Sequence, residues 1–196
     1  MVEQAEQIII GIDPGTNVLG YGVLKVTGRK VEAMAMGVID LRKVSDVYLK
    51  LGRIFERVNS IIEAFSPDIL AIESPFCGKN VQTMLKLGRA QGVVMAAAIN
   101  HQIPVVEYAP SKIKQAVTGN GAATKEMVQR MLIHWLALTE ETLLPYFDAT
   151  DALAAALCHH LQAHSPLATL GPAHKSGGRA GSWSDFVKQH TDRIHR

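Results

Sequence analysis

Ile8-Ile9-Ile10-Gly11-Ile12-Asp13-Pro14-Gly15 is a β-branched run that ends in an acid and then in two turn-forming residues. It reads as a buried first strand closed by a tight turn. Two further strands follow, Leu19 to Val26 and Val31 to Leu41, separated only by Thr27-Gly28-Arg29. Three strands joined by short glycine-containing turns predict an antiparallel meander. Beyond it the period changes. Leu49, Leu51, Ile54, Phe55, Val58, Ile61 and Ile62 recur at helical spacing across 47–65, and Pro67-Asp68 ends the pattern. Ile69 to Glu73 is a fourth strand, stopped by Ser74-Pro75. A long helix rich in small residues spans 81–100, and Val105 to Tyr108 is a fifth strand. Helices fit 110–117, 124–135 and 148–164. Strands first, then strands alternating with helices, predict an α/β fold: a five-stranded mixed sheet flanked by helices on both faces.

The 196 residues suit one domain with a substantial core. No apolar run approaches the ~18 residues of a membrane span, so no membrane association is expected. Met1 to Gln7 is acidic and leads into a strand, which does not read as a signal peptide. Cys77 and Cys158 are expected as free thiols in a reducing cytoplasm. The chain has 20 basic and 18 acidic residues. Residues 165–196 hold five of the former and two of the latter, so 1–164 is close to neutral. Any nucleic-acid contact must therefore use locally grouped cations rather than overall charge. From Ser165 onward Gly, Ser, Pro, His and basic residues dominate. The stretch reads as a flexible basic tail with room for a short helix around Trp183 to His190.

Four acids stand at informative places. Asp13 ends the first strand, Glu73 ends the fourth, and Asp148 and Asp151 open the last helix. Carboxylates three apart on a helix share a face. If the first and fourth strands lie side by side, Asp13 and Glu73 meet at one sheet end, and a helix start over that end completes a four-carboxylate cage. An all-oxygen cage selects hard cations such as Mg²⁺ or Mn²⁺ over zinc. Two such ions ~4 Å apart suit phosphodiester hydrolysis, because they activate water and stabilise the attacking and leaving oxygens. Each acid also has an ordinary reading: a turn at Asp13-Pro14-Gly15, an exposed strand end at Glu73, an N-cap at Asp148, a dipole-favoured acid at Asp151.

The motifs around these acids resemble those of RuvC-type crossover junction endodeoxyribonucleases. Gly11-Ile12-Asp13-Pro14-Gly15-Thr16 with Gly20-Tyr21-Gly22-Val23 is similar to the first motif of that family. Ala71-Ile72-Glu73 with Phe76 and Lys79-Asn80 resembles the second, and residues 85–92 its central helix. Asp148-Ala149-Thr150-Asp151-Ala152-Leu153-Ala154 resembles the closing acidic motif. The likeness runs from about residue 8 to residue 164. It implies an RNase H-like nuclease domain over 1–164, followed by the tail 165–196. It further implies that Asp13, Glu73, Asp148 and Asp151 bind two Mg²⁺ ions per subunit, with Mn²⁺ able to substitute. Phe76 would enter the junction and disturb base stacking, a role apolar wedges can play. Lys114 and Lys125 would contact DNA near the scissile phosphate, with Lys79 and Lys112 as competitors. The protein would be a homodimer that nicks opposed strands of a four-way junction beside a branch-migration helicase complex, during recombination and repair.

Other readings stay open in the sequence. An RNase H-like nuclease acting on structured RNA would use the same fold. An actin-like ATP-binding phosphotransferase shares Gly-Ile-Asp-x-Gly-Thr, but needs two such domains and has no role for the Asp148/Asp151 pair. Gly88, Ala90, Gly92 and 96–98 permit close helix approach, either to the sheet or across a two-fold axis. His159 and His160 lie ~12 Å along the helix from Asp151, too far to ligate beside it. His134 and Trp135 read as packing residues.

Overall fold

The computed structural model describes residues 5–75, 80–139 and 146–163. Phe76, Cys77, Lys79 and the expected tail 165–196 lie outside the described residues.

Strand β1 (Glu6–Asp13) is followed by the meander strands β2 (Val18–Thr27) and β3 (Lys30–Asp40). Helix α1 (Val47–Phe65) then leads to β4 (Ile69–Glu73), α2 (Val81–Asn100) and β5 (Val105–Tyr108). Helices α3 (Pro110–Thr118), α4 (Lys125–Leu136) and α5 (Phe147–Ala163) complete the described chain. The sheet order is β3-β2-β1-β4-β5. The meander is antiparallel, whereas β1 pairs parallel with β4 and β4 parallel with β5. This is the mixed five-stranded sheet expected, with element ends within about two residues of those read from the sequence.

The helix boundaries have local causes. Asp46 caps α1 by accepting from Leu49 N at 2.8 Å, and the chain leaves α1 through Ser66 in the left-handed region. Asn80 caps α2 through Thr83 N at 3.1 Å, and Thr124 caps α4. Pro110 begins α3, where its missing N–H costs nothing, and Gly119 at φ 78° ends it.

Each face of the sheet has its own core. Ile10, Ile12, Leu19, Val23, Leu70 and Ile72 pack with the inner faces of α1 and α2. Ile9, Leu24 and Ala71 pack on the other side with α5, and α5 in turn with α3 and α4. α5 is buried around its whole circumference from Ala152 to His160. Such a helix has no solvent face, which is why it is alanine-rich rather than amphipathic.

Glycines set how close α5 comes. A Cβ on Gly11 would lie inside the Ala152 carbonyl and 2.8 Å from Ala156 N; one on Gly22 would meet Leu153 Cγ at 2.6 Å. A Cβ on Gly20 would overlap the backbone carbonyl of Asp148. Within α2 the outcome differs. Ala90, Ala97 and Ala98 are buried as sheet packing requires, but a Cβ on Gly88 or Gly92 would meet nothing within 4 Å. Intramolecular packing therefore accounts for the alanines and not for these two glycines. Trp135 joins α4 to α3 by donating from Nε1 to Val117 O at 3.3 Å, whereas His134 is exposed.

Candidate active site

The parallel register of β1 and β4 aligns Ile12 with Ile72, so the next residues, Asp13 and Glu73, stand side by side where both strands end. Adjacent strands lie about 4.8 Å apart, which puts two carboxyls within strong mutual influence. On the other side Asp13 pairs with Gly20 of β2, the glycine on which the Asp148 backbone rests. The start of α5 is thereby laid over the acidic strand ends, and Asp151 follows one turn later. A second tie acts just before the helix. Arg42 holds Asp40 through Nε at 3.0 Å and Nη2 at 2.7 Å. The same Nη2 donates to Tyr146 Oη at 3.1 Å, and the guanidinium lies 5.6 Å from the ring centre.

Asp13, Glu73 and Asp151 line a cavity of about 590 Å³ together with Lys114, Lys125 and Ser111. Asp148 is not among its lining residues, although its charge is felt at Asp13 and at Lys125. Lys125 Nζ donates to Asp151 Oδ2 at 2.5 Å; the lysine side chain is 53% exposed and the aspartate 14%. Both lysines singled out in the sequence therefore reach the site, from α3 and from the start of α4. Lys112 instead offers its carbonyl to Cys158 Sγ at 3.9 Å and is not among the lining residues.

The electrostatics follow from this crowding. Asp13 is held well above the ordinary carboxylate range, by burial first and then by Glu73, Asp151 and Asp148. Glu73 is pushed up to about 7, by burial first and then by Asp151, against the opposing pull of Lys125 and Lys114. Burial alone would lower Lys125, but its bond to Asp151 and the surrounding acids raise it above its ordinary value. Like charges drawn into a low-dielectric site retain protons unless cations offset them.

These donors fit a hard cation, since all are carboxylate oxygens and their mutual repulsion is what a divalent ion relieves. Among the described residues, however, no three His, Cys, Asp or Glu side chains are gathered closely enough to hold a metal ion as they stand. Asp151 is engaged by Lys125 instead. The other candidates fall away. His159 is buried and its Nδ1 lies 2.8 Å from Tyr108 Oη, while Cys158 is a buried free thiol pushed up to about 11 by its burial.

Some residues at the site gave no signal in the sequence. Gln91, buried in α2, donates from Nε2 to Glu107 Oε2 at 2.8 Å. Ser74 N donates to Tyr108 O at 2.9 Å. These bonds fasten the chain where it leaves Glu73 toward residue 76. The Arg42–Tyr146 contact was equally silent, because it joins positions 104 apart.

Comparison with known proteins bears on this geometry. The sequence model of the family described as Crossover junction endodeoxyribonuclease RuvC matches residues 9–159. A Crossover junction endodeoxyribonuclease RuvC of Porphyromonas gingivalis is 54% identical over 190 residues, 96% of this chain and 97% of the relative. One of Bacteroides fragilis is 55% identical over 189 residues, 96% of each chain. Among solved structures, Thermus thermophilus RuvC in complex with Holliday junction substrate superposes with a TM-score of 0.74 at 35% identity, covering 80% of this chain and 94% of that one.

Proposed function

Because the chain belongs to the family of crossover junction endodeoxyribonucleases, RuvC, we infer that it resolves four-way (Holliday) DNA junctions by hydrolysing phosphodiesters in homologous recombination and repair. The fold is RNase H-like. The observation that carries the assignment of the reaction to this cavity is the side-by-side placement of Asp13 and Glu73 on parallel strands, facing Asp151, Lys114 and Lys125 across one cavity. A nuclease of structured RNA and an actin-like phosphotransferase are not favoured, since the matched relatives are endodeoxyribonucleases over almost their whole length.

In this reading residues 1–164 are the nuclease domain and 165–196 a basic appendage. Asp13, Glu73, Asp148 and Asp151 hold divalent cations, Mg²⁺ by preference and two per subunit, with Mn²⁺ as substitute. Bound there, such ions lower the pKa of an attacking water and neutralise charge on the phosphoryl oxygens. The chain's own groups do the rest. Lys125 pairs with Asp151 and so orients that carboxylate while holding its own ammonium over the cavity. Lys114 supplies a second positive charge whose field reaches Glu73. Both cations favour phosphate in a site otherwise dominated by acids. Gly20 fixes the level at which Asp148 enters.

Phe76 is assigned the wedge that unstacks bases at the junction. The bonds from Ser74 and Glu107 support this, because they anchor the segment from which Phe76 departs. The protein acts as a homodimer. Val81, Leu85, Gly88, Gly92, Ala96 and Ile99 form an exposed stripe on α2 at spacings of three and four, which suits a helix packed on its symmetry mate. Its setting is cytoplasmic, beside a branch-migration helicase complex. Among the described residues no helix is long and apolar enough to cross a membrane.

The test is cleavage of a labelled synthetic four-way junction with Mg²⁺, beside linear duplex of the same sequence. Paired symmetric nicks on the junction alone are expected. Equal cutting of the duplex, or cleavage only of structured RNA, would overturn the reading.

A further inference from the structure

A second cleft of about 350 Å³ lies on the opposite face of the sheet, between the β1–β2 turn and the first turns of α1 and α2. Thr16, Asn17, Ser45, Lys50, Thr83 and Lys86 supply its polar lining, and no carboxylate is among the lining residues. Lys50 Nζ donates to Thr16 O at 2.9 Å and to Asn17 Oδ1 at 3.0 Å. Both partners are neutral, and among the described residues neither Lys50 nor Lys86 is paired with an acid. The nearest acid in sequence, Asp46, is turned onto the α1 amide of Leu49. The lining also reaches two helix starts: Ser45 immediately precedes the α1 cap, and Thr83 is the third residue of α2.

We propose that this cleft binds a backbone phosphodiester of the junction DNA, displaced from the phosphate being hydrolysed. The proposal rests on the junction reading above. Its distance from the reaction is bounded by the chain. Asn17 is four residues after Asp13, a reach of at most ~14 Å. The two cavities therefore flank one short turn. One cavity is rich in acids and the other cationic, with the 14–17 turn between them. DNA crossing that sheet edge is thus gripped by Lys50 and Lys86 while the acids act on it. The hydroxyls of Thr16, Ser45 and Thr83 add donors that carry no sequence information, which fits a register-setting contact.

The experiment is junction binding by the full chain in EDTA, titrated over about 50 to 200 mM salt. Each phosphate contact contributes ~0.9 to the slope of log affinity against log salt. Lys86→Gln should lower the slope by about that amount, and Lys50→Gln with Lys86→Gln by about twice as much. Lys30→Gln serves as control, being an exposed lysine at the opposite end of the sheet, paired with Glu32; it should change nothing. Thermal melts run alongside. Should the Lys50 change loosen the 14–17 turn, Lys86→Gln decides alone, because Lys86 makes no bond to that turn. Wild-type slopes in folded Lys86→Gln protein overturn the cleft as a phosphate site. A wild type that binds no junction at all overturns the junction reading, and the cleft with it.

Discussion

Replacing Gly20 by alanine sets a single methyl group against the backbone that delivers Asp148. The new Cβ would overlap the Asp148 carbonyl and stand 3.0 Å from Ala149 N, where ordinary contacts begin at 3.4 Å. Both obstacles are backbone at the start of a helix buried on all sides from Ala152 to His160, so no side chain can rotate aside. Relief requires α5 to lift by about 1 Å or more at its first turn. Overpacking of this kind costs about 1–3 kcal/mol, a fall in Tm of several degrees at roughly 2–4 °C per kcal/mol for this chain length. A misplacement of about 1 Å in a catalytic constellation costs about 10²-fold in rate. The assay is single-turnover cleavage of the four-way junction, with melting curves and junction binding measured alongside. Gly20→Ala should bind the junction and cut it about 10²-fold more slowly at a temperature where it is folded. Gly22→Ala meets Leu153 instead; it should lose stability with a smaller loss of rate. Gly52→Ala lies on the exposed side of α1 with nothing within 4 Å, and should gain about 0.5–1 kcal/mol with activity unchanged. A Gly20→Ala protein with wild-type Tm and wild-type rate would refute the reasoning.

Asp13→Asn should abolish cleavage while leaving junction binding largely intact, and in EDTA it should melt higher than wild type because a repelling acid is gone; retained cleavage would break the assignment of the acids. The pH response in EDTA has a definite sign. Glu73 stands at about 7 when folded against 4.5 as its ordinary value, so between those limits the folded protein keeps a proton that the unfolded chain releases. Stability should therefore fall as pH rises from about 4.5 to 7, by at most about 3 kcal/mol from Glu73, and no further from this group above that; Asp13 acts in the same sense. Melting curves of wild type and Glu73→Gln at pH 5 and 8 check this, and a wild type that melts higher at pH 8 would contradict it. Lys125→Met removes a lysine that is half exposed, so stability should change by less than about 1 kcal/mol, while the cleavage rate falls about 10²-fold. Phe76→Ala should slow junction cleavage far more than it lowers Tm; an unaltered rate would remove the wedge.

Much of this was legible without coordinates because it is written locally. Ile8 to Asp13 shows its strand by β-branching, and Pro14-Gly15 and Pro67-Asp68 stop elements by their own backbone limits. The α1 stripe of Ile54, Val58, Ile61 and Ile62 has a helical period, and all four are buried. The positions of Asp13, Glu73, Asp148 and Asp151 at element ends were equally plain, whereas Lys114 and Lys125 came only from the resemblance to the family's motifs.

What the tertiary structure decided depends on residues remote in sequence. Glycines look alike in a chain, yet Gly11, Gly20 and Gly22 admit α5 while Gly88 and Gly92 face open space, because only the element lying across a position makes a Cβ costly there. That Asp13 and Glu73 adjoin requires β1 and β4 to pair in parallel, a long-range register that no local propensity encodes. The Asp151–Lys125 pair, the absence of Asp148 from the cavity lining and the Arg42–Tyr146 tie arise likewise from how α4 and α5 dock. The sequence alone determined which residues form strands, helices and acids at their ends. Docking alone determined which of those ends meet, because burial energy is summed over surfaces that come together only in the folded chain.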